Sequence, residues 1–406
     1  MKGSNHLNKR NSSLLLFGIG ISSLGDFVYL VAINILVLKL TGSAAAVAGL
    51  WIMGPIASIL TKFWSGSLVD RMNKRNLMII TDIVRAVIVA IIPFLSSIWL
   101  IYVCLFFLSV AKAFFEPTSI TYITRLVPQQ ERKQFNSFRS LVTSGAFLVG
   151  PAIAGVLFLI TTVDIAIWIN AISFIVSAFL LMLLPNVDEQ VPKADVKPLS
   201  IKVLREDWES VIQFSRKNLY IVQIFFLAQF FMIVSLGMDA QEVVFTQRVL
   251  GLSETDFGLL ISITGIGSIV GASTVSIFAK KMSIKQLISL GFLMVAVGYL
   301  IYAFSFSFWS VAVGFIILGF FNSFSNTGFM TFYQNNVPTE MMGRISSVFG
   351  TFISLFQIIF VLLIGYTGEI IPLRYSVIIA SFIIVVIGIL ITFMVNQPSR
   401  SKYFDE

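Results

Sequence analysis

The stretch Gly66-Ser-Leu-Val-Asp-Arg-Met-Asn-Lys-Arg-Asn-Leu77 returns in degraded form as Ser276-Ile-Phe-Ala-Lys-Lys-Met-Ser-Ile-Lys-Gln-Leu287, 210 residues further along the chain. The same shift carries Val127-Pro128 onto Val337-Pro338, Ser137 onto Ser347 and Ser43 onto Ser253. Separated anchors that share one offset mark a tandem duplication.

What is duplicated follows from hydropathy. Of 406 residues, 57% are hydrophobic and only 12% charged, where a soluble domain carries about a quarter charged. Apolar segments of spanning length fall at 14–38, 46–66, 77–96, 99–122, 137–160 and 164–184, then at 219–242, 257–279, 286–305, 308–332, 344–368 and 373–395. The expected fold is therefore an all-α membrane protein of twelve transmembrane helices. An even number of spans per repeat gives two parallel, pseudo-symmetric six-helix bundles, 1–184 and 218–406. Between them, 185–217 holds Pro185, Pro192 and Pro198 and then Ile201, Leu204, Trp208, Val211 and Ile212 at helical spacing. This linker reads either as an amphipathic helix along the membrane surface or as a solvated connector.

Loop Lys and Arg gather on the side of the N-terminal tail, leaving only Lys39, Arg248 and Arg374 opposite, so both termini are expected in the cytoplasm of a cell that holds the chain in its plasma or bacterial inner membrane. The first apolar run continues past Leu36 without a small-residue cleavage site and reads as a retained span. One cysteine, Cys104, and one histidine, His6, exclude a disulfide framework and a Cys/His metal cluster, and no phosphate-binding loop is present. No cofactor, metal or nucleic acid is expected, and no catalytic constellation is visible. Energy must come from a gradient.

The motif Gly66-x-Leu68-Val69-Asp70-Arg71-x-x-Lys74-Arg75, between the second and third spans, resembles the loop signature of the major facilitator superfamily, with Asn73 where a second glycine is customary. The resemblance implies that this loop latches the two bundles, with Gly66, Asp70, Arg71, Lys74 and Arg75 as a gate. A purely topogenic role for the basic residues is the alternative. Gly150-Pro151-Ala-Ile-Ala-Gly155 in the fifth span resembles the antiporter motif of the exporter branches, or serves as a generic kink. Ser23-Leu-Gly25-Asp26, Leu40-Thr-Gly42-Ser43 and Arg125-Leu-Val127-Pro128 are similar to the macrolide efflux and enterobactin exporter subgroup of drug:proton antiporters.

Ionisable groups at bilayer depth cost at least ~2.5 to 3.5 kcal/mol on insertion scales and each needs an account. Asp26, with Asn34 two turns away, is the first candidate for proton coupling or for contact with a cationic substrate; a structural carboxylate is the alternative. Asp82 and Arg85 lie at i, i+3 and Lys112 and Glu116 at i, i+4, which suggests one buried charge network that also offers Arg85 and Glu116 to the coupling site. Asp239 and Glu242 mark either an outer gate or surface charge, and Gln223 and Gln229 are polar groups at depth. The expected function is a proton-coupled exporter of amphipathic small molecules by alternating access, acting as a monomer with substrate, protons and lipids as its partners. Export of an endogenous metabolite, siderophore or lipid precursor, and a non-transporting receptor or scaffold, are the rival readings.

Overall fold

A computed structural model describes residues 9–61, 69, 72–128, 131–188, 201–278 and 281–404. Twelve helices among them are long and apolar enough to cross a membrane, and no strand occurs among the described residues. In lipid, only a helix satisfies every backbone N–H and C=O within its own segment, which is why the apolar runs become helices.

The first set comprises α1 (Lys9–Thr41), α2 (Ala44–Thr61), α3 (Lys74–Ile91), α4 (Ile98–Leu126), α5 (Arg132–Ile160) and α6 (Val163–Met182). The connector forms α7 (Ile201–Lys217). The second set is α8 (Leu219–Asp239), α9 (Glu254–Phe278), α10 (Ile284–Ala303), α11 (Phe308–Asn336), α12 (Thr339–Ile370) and α13 (Leu373–Val395). Several helices outrun their apolar cores: α5 starts at Arg132 and α12 at Thr339, because polar turns stay helical once they leave the hydrocarbon. Local chemistry fixes the starts. The Asn73 side chain accepts from Asn76 N at the head of α3, and Ser283 with Gln286 forms a capping box at α10. Gly42, at φ +61°, makes the tight turn from α1 into α2.

Both sets pack by one pattern. In the first, α1 lies on α5 and α6, and α3 on α4 and α6; in the second, α8 lies on α12 and α13, and α10 on α11 and α13. That is the repeat expressed as tertiary structure. Clustering of contacts groups residues 1–41 and 56–199 into one unit and 42–55 and 200–406 into another, so the division passes through α2 at Pro55. The head of α2 is held within the second unit: the Glu369 carboxylate accepts from Ser43 Oγ at 2.6 Å and from Ala45 N at 3.2 Å. Helix α7 belongs to this unit as well, with Val211 buried, Trp208 edge-on to Phe352 at 5.6 Å, and Ser210 Oγ accepting from Arg344 at 3.3 Å.

Helices α9 and α11 meet backbone to backbone. A Cβ at Gly319 would overlap the carbonyl oxygen of Thr264. Gly319→Ala is expected to cost about 1–3 kcal/mol and to lower the melting temperature of the detergent-solubilised protein. Gly54→Ala, where an added Cβ meets nothing within 4 Å, should leave it unchanged or slightly higher.

Candidate functional site

Arg85 on α3 joins two acids. Its Nη1 donates to Asp82 Oδ1 at 2.9 Å, one turn back on the same helix, and its Nη2 donates across to Asp26 Oδ2 on α1 at 3.3 Å. The guanidinium carbon stacks 3.9 Å from the Phe174 ring centroid on α6 and 5.1 Å from that of Phe115 on α4. Four helices of the first unit thus converge on one cation. The Asp82 side chain is wholly buried and that of Arg85 is 4% exposed, whereas Asp26 is 38% exposed. Asp82 Oδ2 and Arg85 Nε have no hydrogen-bond partner among the described residues. The arrangement is an under-satisfied buried pair with one accessible carboxylate loosely attached.

Two glycines bring the backbones this close. A Cβ at Gly25 would collide with Ser173 and Asn170 of α6, and one at Gly150 would stand 2.6 Å from Phe27 Cβ. The Gly150-Pro151 element of α5 therefore seats against α1 beside Asp26. Gly155, one turn on, is buried in the same helix.

Other sequence-selected residues separate from this centre. Asn34 lies eight residues from Asp26, about 12 Å along the helix, and its amide donates to Leu30 O of its own helix at 2.7 Å. Lys112 and Glu116 pair with each other at 3.8 Å but are 60% and 64% exposed. The four-residue buried network expected from spacing is corrected accordingly: spacing puts each pair on one face, and only α3 turns that face inward. Of the expected gate loop, Gly66, Asp70 and Arg71 lie outside the described residues. Lys74 and Arg75 act as anchors. Arg75 donates through Nε to Leu181 O at 3.1 Å and through Nη2 to Met182 O, capping the end of α6. Lys74 is buried; its backbone N–H donates to Asp188 and its Nζ sits 3.9 Å from the same carboxylate, which also pairs with Arg125. Sequence reasoning missed Asp188, which lies just past the sixth span beside Pro185.

In the second unit the helix carrying Asp239 and Glu242 breaks at Ala240–Gln241 and resumes as a turn, Glu242–Val244, and a π-helical segment, Phe245–Val249. Tyr299 Oη of α10 donates to Asp239 Oδ1 at 2.7 Å. Neither acid is a free surface charge. Sequence reasoning passed over Tyr299 and Tyr302. Elsewhere on α8, Gln223, Phe226, Gln229 and Phe230, with Phe356 of α12 and Met394 of α13, line a mostly apolar cavity of about 590 Å³.

With this geometry in view, comparison with known proteins is decisive for the family. The Major Facilitator Superfamily profile matches residues 15–359. The chain belongs to the Major Facilitator Superfamily. It is 25% identical over 267 residues to the uncharacterized MFS-type transporter YfiS of Bacillus subtilis (strain 168), a match covering 66% of this chain and 64% of that one. Against macrolide efflux protein A of Streptococcus pyogenes it is 21% identical over 400 residues, 94% of each. The crystal structure of the nucleoside transporter NupG superposes with a TM-score of 0.76 at 14% identity, covering 95% of this chain and 99% of that one. The last likeness concerns fold. The family and the structural neighbours are transporters, not enzymes, and the chain is a multi-pass membrane protein.

The unequal exposure of the two acids around Arg85 predicts unequal stability effects. Asp82→Asn should destabilise by about 3–5 kcal/mol, since it removes the negative charge that compensates a buried guanidinium 2.9 Å away. Asp26→Asn should cost roughly 1 kcal/mol or less. Thermal unfolding of the two purified variants tests the order.

Proposed function

We propose that this chain exports amphipathic small molecules in exchange for protons, by alternating access, with Asp26 as the proton carrier. The observation that carries this reading is the Asp26–Arg85 contact at 3.3 Å beside the tighter Arg85–Asp82 pair. A proton arriving on the accessible Asp26 carboxylate cancels its charge and weakens its hold on Arg85, which Asp82 retains on α3. The tie between α1 and α3 is then a function of protonation, and α1 bears directly on α5 through Gly150. Movement of one charge through 100 mV is worth about 2.3 kcal/mol, roughly fortyfold in concentration, so one or two protons per cycle suffice for export.

The substrate class is supported by the cavity on α8, α12 and α13. Phenylalanine rings with two glutamines suit a compound that has a large apolar body and a few hydrogen-bonding groups. The name of macrolide efflux protein A, whose match runs through 94% of both chains, supports export of such compounds. In this reading the protein acts as a monomer, both termini face the cytoplasm, and the basic loops face that leaflet.

In proteoliposomes with an imposed pH gradient, a substrate panel should reveal at least one amphipathic compound moved against its concentration. Asp26→Asn should abolish gradient-driven movement while leaving compound binding within about threefold. Equal flux with and without the gradient would sink the coupling. Phe230→Ala and Gln229→Ala should instead change which compounds are carried, read as altered apparent affinities with coupling intact.

A further inference from the structure

Asp239 ends α8 and Glu242 opens the next turn, so two carboxylates sit three residues apart inside the single span Leu219–Val249. Tyr299 serves Asp239. For the Glu242 carboxylate, no hydrogen bond or ion pair occurs among the described residues. Tyr302, nearly one turn beyond Tyr299 on α10, is wholly buried, and its hydroxyl is without a partner. Its ring packs 4.7 Å from that of Phe245, three residues after Glu242, and its hydroxyl lies within reach of the charge of both acids. A buried donor without a partner among the described residues thus lies near the two acids.

Among the described residues no cation forms an ion pair with either acid. Arg374 of α13 donates to Ser305 O at 2.8 Å and stacks on Phe245 and Phe306. Arg248, on the π-helical segment, lies against the Gly42 turn and towards Glu369, which itself is taken by Ser43 and Ala45. Helix α11 contains no Asp, Glu, Lys or Arg, and α7 meets the far end of α8, twenty residues or about 30 Å away. Asp256 of α9 is engaged by Ser253. Two ionised carboxylates three residues apart, both half-buried and without an ion pair among the described residues, repel each other, and a proton shared by the pair relieves that repulsion.

We propose that Asp239 and Glu242 form a proton-binding dyad in the second unit, a site separate from Asp26, with Tyr302 as the hydrogen-bond donor that replaces the proton when it leaves. In the loaded form one proton is held by the pair, Tyr299 remains on Asp239, and Tyr302 is idle, as the structure has it. On release both carboxylates are ionised, and the Tyr302 hydroxyl turns to Glu242. The position supports this. The duplication maps Asp26 to Leu236 and Arg85 to Val295; Asp239 and Tyr299 lie three and four residues beyond those points, so the same first-to-third-helix link recurs one turn on. The role in a transport cycle rests on the function proposed above, but the proton on the dyad does not.

The test is infrared difference spectroscopy of the full-length protein during pH titration, in the carbonyl-stretch region of protonated carboxyl groups. Wild type should show a protonated-carboxyl band at neutral pH that disappears on alkalinisation and shifts on carbon-13 labelling of the Asp and Glu carboxyls. Glu242→Gln should remove the band, Asp26→Asn should keep it, and Tyr302→Phe should make it persist to higher pH. The labelled wild type answers the question even where Glu242→Gln fails to fold. A labelled sample without the band at neutral pH, a band unchanged in both Asp239→Asn and Glu242→Gln, or a band abolished by sodium at fixed pH would overturn the dyad. A band that follows these expectations in a protein whose transport ignores the pH gradient would leave the dyad standing and sink only the coupling through Asp26.

Discussion

The guanidinium of Arg85, in the interior of a membrane protein, is held by two acids on different terms. Asp82 is on its own helix, buried and close; Asp26 is on another helix, accessible and at a longer distance. The cost of burying Arg85 obliges α1, α3, α4 and α6 to converge, since the acids come from the first two and the ring faces from the others. The glycines at positions 25 and 150 are then needed because a Cβ at either would push the backbones apart just where the charges must meet. One interaction so accounts for a motif in α1, an i, i+3 pair in α3 and the Gly-Pro element in α5.

The second unit repeats the packing but not the charge. Its first and third helices are again tied by an acid on one and a donor on the other, yet the donor is a neutral tyrosine. A duplicated scaffold therefore carries two polar ties of different electrostatic character. In the first unit a cation is overcompensated by two acids, and adding a proton moves the group toward balance. In the second, two acids three residues apart have one tyrosine hydrogen bond between them and no ion pair among the described residues.

The helices and their number were legible because lipid leaves an apolar chain almost no alternative to helix, and because the 210-residue offset is visible without any structure. The pair Asp82–Arg85 was legible for a similar reason: helical spacing fixes which residues share a face. Spacing does not say which face turns inward, and Lys112 with Glu116, equally well spaced, turned out exposed. Contacts that cross helices left no local signal. Asp188 clasps Lys74 and Arg125 from a polar segment that reads as a connector, and Tyr302 looks like any other aromatic residue of an apolar run. The break at Ala240–Gln241 was hidden as well, since it falls at the very end of the apolar run 219–242 and a π-helical segment has no distinctive composition.

The two ties also differ in how a proton would act on shape. In the role proposed for Asp26, a proton weakens the 3.3 Å ion pair with Arg85 and so loosens α1 from α3. At the proposed dyad the proton-free pair would recruit Tyr302 of α10 and the protonated pair would leave that hydroxyl idle, a change of the same sign. The Tyr299 bond keeps α8 and α10 joined in either state. In the proposed scheme a proton parts the first and third helices of the first unit, while the second unit keeps its Tyr299 bond, so the two halves differ in how far one proton loosens them.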